Sequence, residues 1–372
     1  MTDGEAIGQP VAFFASLPHY VEHLAPVFLS MRSRSPAAGF WTVPHLIEYV
    51  RSLGIDAVKE AAYPFDDSRR NRSLPGGPSV PALNKNPVVV ASYGDLRRVR
   101  HAVNRPAIGM EHGCGLTYTG DLPQGHWMNI HIARMQFQHL GKGLGLRFVP
   151  NYVLAEREKL SYPGLPIIVL GDSPKLDSWR PCPRLSVNGR APTICFSSHF
   201  NLTRVPETRS VIEFYKPCLP ELAKRFKMIG HCHPLEWEKA RQVFESVGIE
   251  PVEHFSEVIR RADVYMTSGS STLYEFASLD RPVIALRAPF MRKDVNHGLL
   301  FWDYVPGIEC WKPEDLAACV DEALRDRDEV REQRMRAVNV VYPQRDGRSA
   351  ERAAEAILQW QQSYSEETTI RT

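Results

Sequence analysis

From Thr193 onward the chain alternates strand-sized apolar runs with segments of helical period, and few folds accept that order. Thr193–Phe196, Lys227–Gly230, Val264–Thr267 and Pro282–Leu286 read as strands. Helical patterns follow around Ser210–Arg225, Leu235–Val247, Ser256–Ala262, Thr272–Leu279 and Pro313–Leu324. Short, continuous apolar runs suit strands covered on both faces, and strand–helix repetition closes into a parallel sheet with helices outside. The N-terminal half repeats the pattern: Val11–Ser16 as a strand, a helix through Val21, Leu24, Val27 and Phe28, and a second helix over Trp41–Leu53 stopped by Gly54. Strands are expected at Val88–Ser92, Ala107–Met110 and Leu165–Leu170, with a helix at Gly94–Val103. Ser349–Gln362 reads as a closing Ala-rich helix.

A length of 372 residues gives two cores of ordinary size. The expected class is therefore α/β, with two Rossmann-like doubly wound domains, 1–165 and 166–348. Residues 349–372 form a helix and tail that return to the first domain. The loop Tyr63–Pro87, rich in Asp, Arg, Pro and Gly, cannot bury a core and reads as mobile. In doubly wound sheets ligands bind at the carboxyl ends of strands, so the loops after each strand are where chemistry is sought.

Composition removes several classes. The 45 Lys and Arg against 43 Asp and Glu leave a formal charge of +2, so no global field favours nucleic acid. No apolar run approaches the roughly 20 residues of a membrane span. Residues 1–10 lack a secretory pattern, and the seven cysteines carry no CxxC, which together suggest a cytoplasmic protein with reduced thiols. The P-loop, dinucleotide, HExxH and GxSxG signatures are missing. Arg97, Arg98 and Arg100 read as a solvated helix face, and Gly141–Gly145 as a flexible loop.

Three places after strands carry reactive residues. Met266–Glu275 runs from a strand into a helix. Gly269 permits a close bend, and Thr272 with Glu275 three residues on has the spacing of a capping box. The amides and hydroxyls of Ser270, Ser271 and Thr272 would then meet a phosphate at the positive helix end. His112 follows the Ala107–Met110 strand and precedes Gly113; an imidazole there can serve as general base toward an acceptor hydroxyl. In His231-Cys232-His233-Pro234 strand alternation separates the cysteine from the histidines, which argues against a metal site and favours His233 as the one pointing into the site.

Taken in order, these elements resemble the CDP-glycerol glycerophosphotransferases of teichoic-acid assembly and, more broadly, the GT-B glycosyltransferases. The resemblance rests on His112-Gly113, Leu170-Gly171-Asp172-Ser173-Pro174-Lys175-Leu176-Asp177, His233-Pro234 and Ser270-Ser271. It continues through Leu279-Asp280-Arg281-Pro282-Val283-Ile284, Phe301-Trp302-Asp303-Tyr304 and Asp346-Gly347-Arg348-Ser349-Ala350-Glu351-Arg352. It covers about residues 105–358. Two positions depart from the family: Ser268-Gly269 stands where an Asp-Tyr pair is usual, and His297-Gly298 replaces Arg-Gly, with Arg292 and Lys293 near enough in sequence to supply positive charge instead.

The resemblance implies a GT-B enzyme whose two domains face a central cleft. It would move a glycerophosphate or glycosyl group from a nucleotide-diphosphate donor to a glycan, polyol-phosphate or lipid-linked acceptor, in the last case with peripheral membrane contact. Catalytic candidates are His112, His233 and His19, the last after the first strand. Donor-binding candidates are Gly269, Ser270, Ser271, Thr272, Glu275, Arg292, Lys293 and His297. No cofactor or metal is expected. The rivals are a non-hydrolysing UDP-sugar 2-epimerase and a catalytically inactive nucleotide-sugar-binding protein.

Overall fold

The computed structural model describes residues 10–61, 83, 86–92, 95–96, 99, 106–114, 143–179, 191–201, 206–291 and 300–370. The chain divides into two compact units: residues 1–112, 119–178 and 344–372, and residues 113–118 with 179–343. The first contains β1 (Ala12–Ala15), α1 (Pro18–Arg32), β2 (Gly39–Thr42), α2 (Ile47–Ser52), β3 (Val58–Glu60), β4 (Val88–Val90), β5 (Ala107–Met110), β6 (Leu144–Val149), α3 (Tyr152–Ser161) and β7 (Ile167–Val169). The second begins with β8 (Thr193–Ser198), α4 (Ile212–Tyr215), α5 (Leu219–Arg225), β9 (Lys227–Cys232), α6 (Trp237–Ser246), β10 (Glu250–Pro251) and α7 (Phe255–Arg261). It continues with β11 (Val264–Thr267), α8 (Thr272–Ala277), β12 (Val283–Leu286), α9 (Leu300–Asp303), β13 (Ile308–Cys310), α10 (Leu316–Arg325) and α11 (Asp328–Val341), after which α12 (Ser349–Ile370) rejoins the first unit.

Both sheets are parallel and doubly wound. Their strand orders are β3-β2-β1-β4-β5-β6-β7 and β10-β9-β8-β11-β12-β13. The chain reverses direction of winding between β1 and β4 in one sheet and between β8 and β11 in the other, which marks the two crevices where such sheets hold ligands. Strand β1 shows why both faces must be covered. Phe13 and Ala15 enter the cluster beneath α1 and α12, while Ala12 and Phe14 enter the opposite one with Val88, Val90 and Ala107.

Three expectations need correction. Trp41 lies in strand β2, paired with Phe14 of β1, instead of opening a helix; the four-residue run Gly39–Thr42 is too short to show a period. The first domain ends near residue 178 and not 165, because Ile167–Val169 pairs with Arg147–Val149 and so extends the first sheet. Gly145 belongs to β6: a Cβ there would stand 2.5 Å from the Trp360 ring and 2.9 Å from Pro106, so glycine lets α12 lie against the strand. The Tyr63–Pro87 loop lies outside the described residues except Leu83, Asn86 and Pro87. Arg97, Arg98 and Arg100 lie outside them too. No helix among the described residues is long and apolar enough to cross a membrane.

Two of the motifs turn out to bind each other. The Asp177 carboxylate accepts from Ser349 N at 3.2 Å, Ser349 Oγ at 2.7 Å and Ala350 N at 2.7 Å, capping α12 from outside the helix. Arg352 donates to the Leu170 carbonyl at 2.9 and 2.6 Å, and Gln344 N donates to the Gly171 carbonyl at 2.8 Å. Gly171 takes φ +79°, and a Cβ there would stand 2.6 Å from Gln344 Cβ, so this approach admits only glycine. The clamp lets Ala353, Ala354 and Ile357 pack into the core with α1. Asp177→Ala is therefore expected to cost about 2 kcal/mol, a lost cap plus orphaned amides, read as a lower melting temperature. A loss below about 0.5 kcal/mol would show that α12 is held by packing alone.

Candidate active site

In the second unit the crevice between β8 and β11 is built from small hydroxyls. His199 N, just past β8, donates to Ser268 Oγ at 3.3 Å, just past β11, which ties the two strand ends together at the winding reversal. Ser270 N then donates to the Ser268 carbonyl at 2.6 Å, a three-residue turn about Gly269. Ser270 Oγ lies 2.8 Å from Thr272 Oγ1, which lies 2.8 Å from the hydroxyl of Tyr265. Separately, Ser197 Oγ stands 3.1 Å from Nδ1 of the buried His231. A run of hydroxyls thus leads from Tyr265 to Ser270. Burial pushes the Tyr265 phenol well above its ordinary range.

The expected capping box does not form. Ser271 occupies the cap with helical backbone and no side-chain capping bond, and Glu275 N donates instead to the Ser271 carbonyl at 3.1 Å. The Ser271 hydroxyl is turned to another use, accepting from Cys114 N at 2.9 Å; Gly113 and Cys114 group with this unit. Glu275 is buried in α8, 1% exposed.

His233 lies just beyond β9, whose last residue, Cys232, is buried in the core. Leu235 N donates to His233 Nδ1 at 3.1 Å. An amide can only donate, so Nδ1 carries the lone pair and the neutral ring keeps its proton on Nε2. The ring packs 5.2 Å from that of His199 and 4.6 Å from Phe200, two residues that carried no motif in the sequence. Arg292, Lys293 and His297 lie outside the described residues. Among the described residues no group of three or more His, Cys, Asp or Glu could hold a metal ion.

In the first unit His112 follows β5, with its side chain 32% exposed. Its Nδ1 stands 2.7 Å from the carbonyl oxygen of Ala91, at the end of β4. A carbonyl can only accept, so here Nδ1 carries the proton and Nε2 the lone pair, the opposite tautomer to His233. Burial lowers the pKa of His112, Glu111 and the Ala91 carbonyl oppose that shift, and Arg147 and Lys175 reinforce it. The ring is therefore neutral at physiological pH.

His19, Tyr20 and His23 of α1 ring it at 5.6, 4.9 and 6.2 Å between centroids, so His19 and His112 share one cluster. His23, whose Nδ1 lies 3.1 Å from Ser173 Oγ, is held neutral by burial and by Lys175. Sequence reading missed His23, which sits inside the apolar period of α1, and Arg147, which lies on β6, a strand it did not identify.

The model of the CDP-Glycerol:Poly(glycerophosphate) glycerophosphotransferase family matches residues 206–359. Over that stretch the resemblance read from the motifs is borne out. Among solved structures, a variant of the wall teichoic acid polymerase TagF soaked with CDPG superposes with a TM-score of 0.62 at 13% identity, covering 94% of this chain and 88% of that one. The UDP-GlcNAc 2-epimerase of Neisseria meningitidis bound to UDP-GlcNAc gives 0.56 at 14%, covering 94% and 100%. MnaA of S. aureus with UDP gives 0.59 at 15%, covering 94% and 96%. These likenesses, with the two doubly wound parallel sheets, make the fold that of the GT-B class. A search of curated proteins finds no match.

Proposed function

We propose that the protein is a transferase that moves a glycerophosphate or glycosyl group from a nucleotide-diphosphate donor to an acceptor hydroxyl, with CDP-glycerol the first donor to consider because of the family match at residues 206–359. The observation that carries the reading is that two imidazoles, one in each unit, hold complementary tautomers. His112 has its Nδ1 proton committed to Ala91 and carries its lone pair at Nε2, while His233 has its Nδ1 lone pair committed to Leu235 and carries its proton at Nε2. One is built to accept a proton and the other to donate a hydrogen bond.

In the glycerophosphate reaction the acceptor oxygen forms a bond to the distal phosphorus of the donor as the bridging P–O bond breaks. The acceptor proton passes to His112 Nε2, and the leaving nucleoside monophosphate takes the bonding pair. His233 Nε2–H, with the hydroxyls of Ser270 and Thr272, would meet that developing charge, a task a divalent ion performs elsewhere. The reaction is thus expected to need no metal. A nucleotide-activated donor would suit the cytoplasmic side, and a lipid-linked acceptor would bring the protein to the membrane surface. The epimerase reading has the fold likeness to recommend it, but the family match points the other way.

Ser270→Ala and Thr272→Ala should each weaken CDP-glycerol binding about 10-fold, one lost hydrogen bond to a charged phosphate, as measured by calorimetry. Thr272→Ala also opens the hydroxyl run, so binding is compared well below the melting temperature. Unchanged affinity in both variants would put the phosphate elsewhere.

A further inference from the structure

Behind His112 lies a line of buried charges that no sequence motif announced. Glu111 Oε1 is 3.7 Å from His112 Nδ1, and Glu111 Oε2 is hydrogen-bonded by Arg147. Arg147, on β6 and 2% exposed, shares the Nη2 that holds Glu111 with Glu158 of α3 and adds its Nε, with Nε to Oε2 at 2.8 Å and Nη2 to Oε1 at 2.9 Å. A buried guanidinium held between two carboxylates is costly to assemble, and such an arrangement serves either stability or the group at its open end. Here the open end is an imidazole.

We propose that Glu111, Arg147 and Glu158 are positioning residues for His112, forming a buried chain of alternating charge that orients the ring and readies it to carry a positive charge. The proposal rests on the reading of His112 as a proton acceptor. The chain carries one net negative charge, so a proton arriving on Nε2 completes its neutrality. Arg147 sets how strongly Glu111 acts, because it holds that carboxylate and opposes its field. The other groups facing the ring are His19, Tyr20 and His23 of α1, and Lys175, which lies 3.6 Å from Glu22 of the same helix. Lys175 acts on the ring with the same sign as Arg147, so Glu111 is the negative neighbour that both cations oppose.

The test follows the His112 side chain directly, by NMR titration of the ring in histidine-labelled, ligand-free protein, with the signal assigned by its loss in His112→Ala. Glu111→Gln removes the negative neighbour, and the titration should move down by about one pH unit, a 10-fold loss of proton affinity. Arg147→Met removes the opposing cation, and it should move up by about as much. Arg147→Lys keeps the charge without the fork, and the titration should stay near that of the wild type while turnover falls. Opposite shifts are not a signature of loosened packing. If Arg147→Met fails to fold, Glu111→Gln and Arg147→Lys still decide. Shifts of one sign in both charge variants, or none in a folded Glu111→Gln protein, would overturn the proposal. The titration needs no substrate, so this outcome is separate from whether His112→Ala abolishes transfer.

Discussion

His112→Ala is expected to lower turnover about 100-fold or more while costing less than about 1 kcal/mol of stability. The two effects separate because the ring is one-third exposed and makes a single backbone hydrogen bond, to Ala91. Its value would lie in the transition state, where the acceptor oxygen gains nucleophilicity only as its proton leaves. The Michaelis constant for the donor should change little, since His112 touches the acceptor in this account. His112→Gln keeps an acceptor near the same place without a titratable nitrogen, and it should be about as slow as alanine. Turnover at the wild-type level in either variant would remove His112 from the mechanism.

The largest loss of stability is expected at a residue with no chemistry to perform. Arg334 of α11 is wholly buried; it donates to Asp326 at 2.8 and 3.1 Å and to Asp280 at 3.0 Å. Arg331 donates to the same Asp280 carboxylate. Asp280 and Asp326 both adopt left-handed backbone, φ +59° and +41°, so the network also fixes the turns after α8 and α10. Arg334→Ala leaves two carboxylates facing an empty volume. Removing one partner of a buried ionic group costs about 3–5 kcal/mol, a large share of a domain's stability. Urea unfolding followed by tryptophan fluorescence should show the transition of the second unit moving to lower denaturant. A loss under about 1 kcal/mol would show that water or a shifted side chain compensates Asp280 and Asp326.

How legible these features are in the sequence depends on the range of the forces involved. Strands β8, β9, β11 and β12 announce themselves because parallel strands are buried on both faces and so read as unbroken apolar runs. Strands β2 and β3 do not. Gly39–Thr42 is brief, and two of the three residues of Val58–Glu60, at the sheet edge, are charged. His112, His233 and the Ser270–Thr272 turn are recognisable because each follows a strand directly. The tautomers that give the two histidines opposite roles depend on a carbonyl 21 residues away in one case and an amide two residues away in the other.

Nothing local pairs Arg147 with Glu111, 36 residues distant, or Glu158 with either, until β5 and β6 are known to be neighbours. The motifs at 170–177 and 346–352 were visible as motifs, yet their mutual clamp was not. It joins residues more than 170 positions apart and holds a helix, so it looks functional in sequence and is structural in the fold.

The most direct measurement is release of cytidine monophosphate from CDP-glycerol, followed together with lengthening of a glycerol-phosphate acceptor, in buffer containing EDTA, with UDP-N-acetylglucosamine run in parallel. The account predicts acceptor-dependent release that survives the chelator and is lost in His112→Ala, with no epimerised UDP-sugar. Epimerisation of UDP-N-acetylglucosamine without transfer, or transfer that stops in EDTA and returns with magnesium, would contradict it.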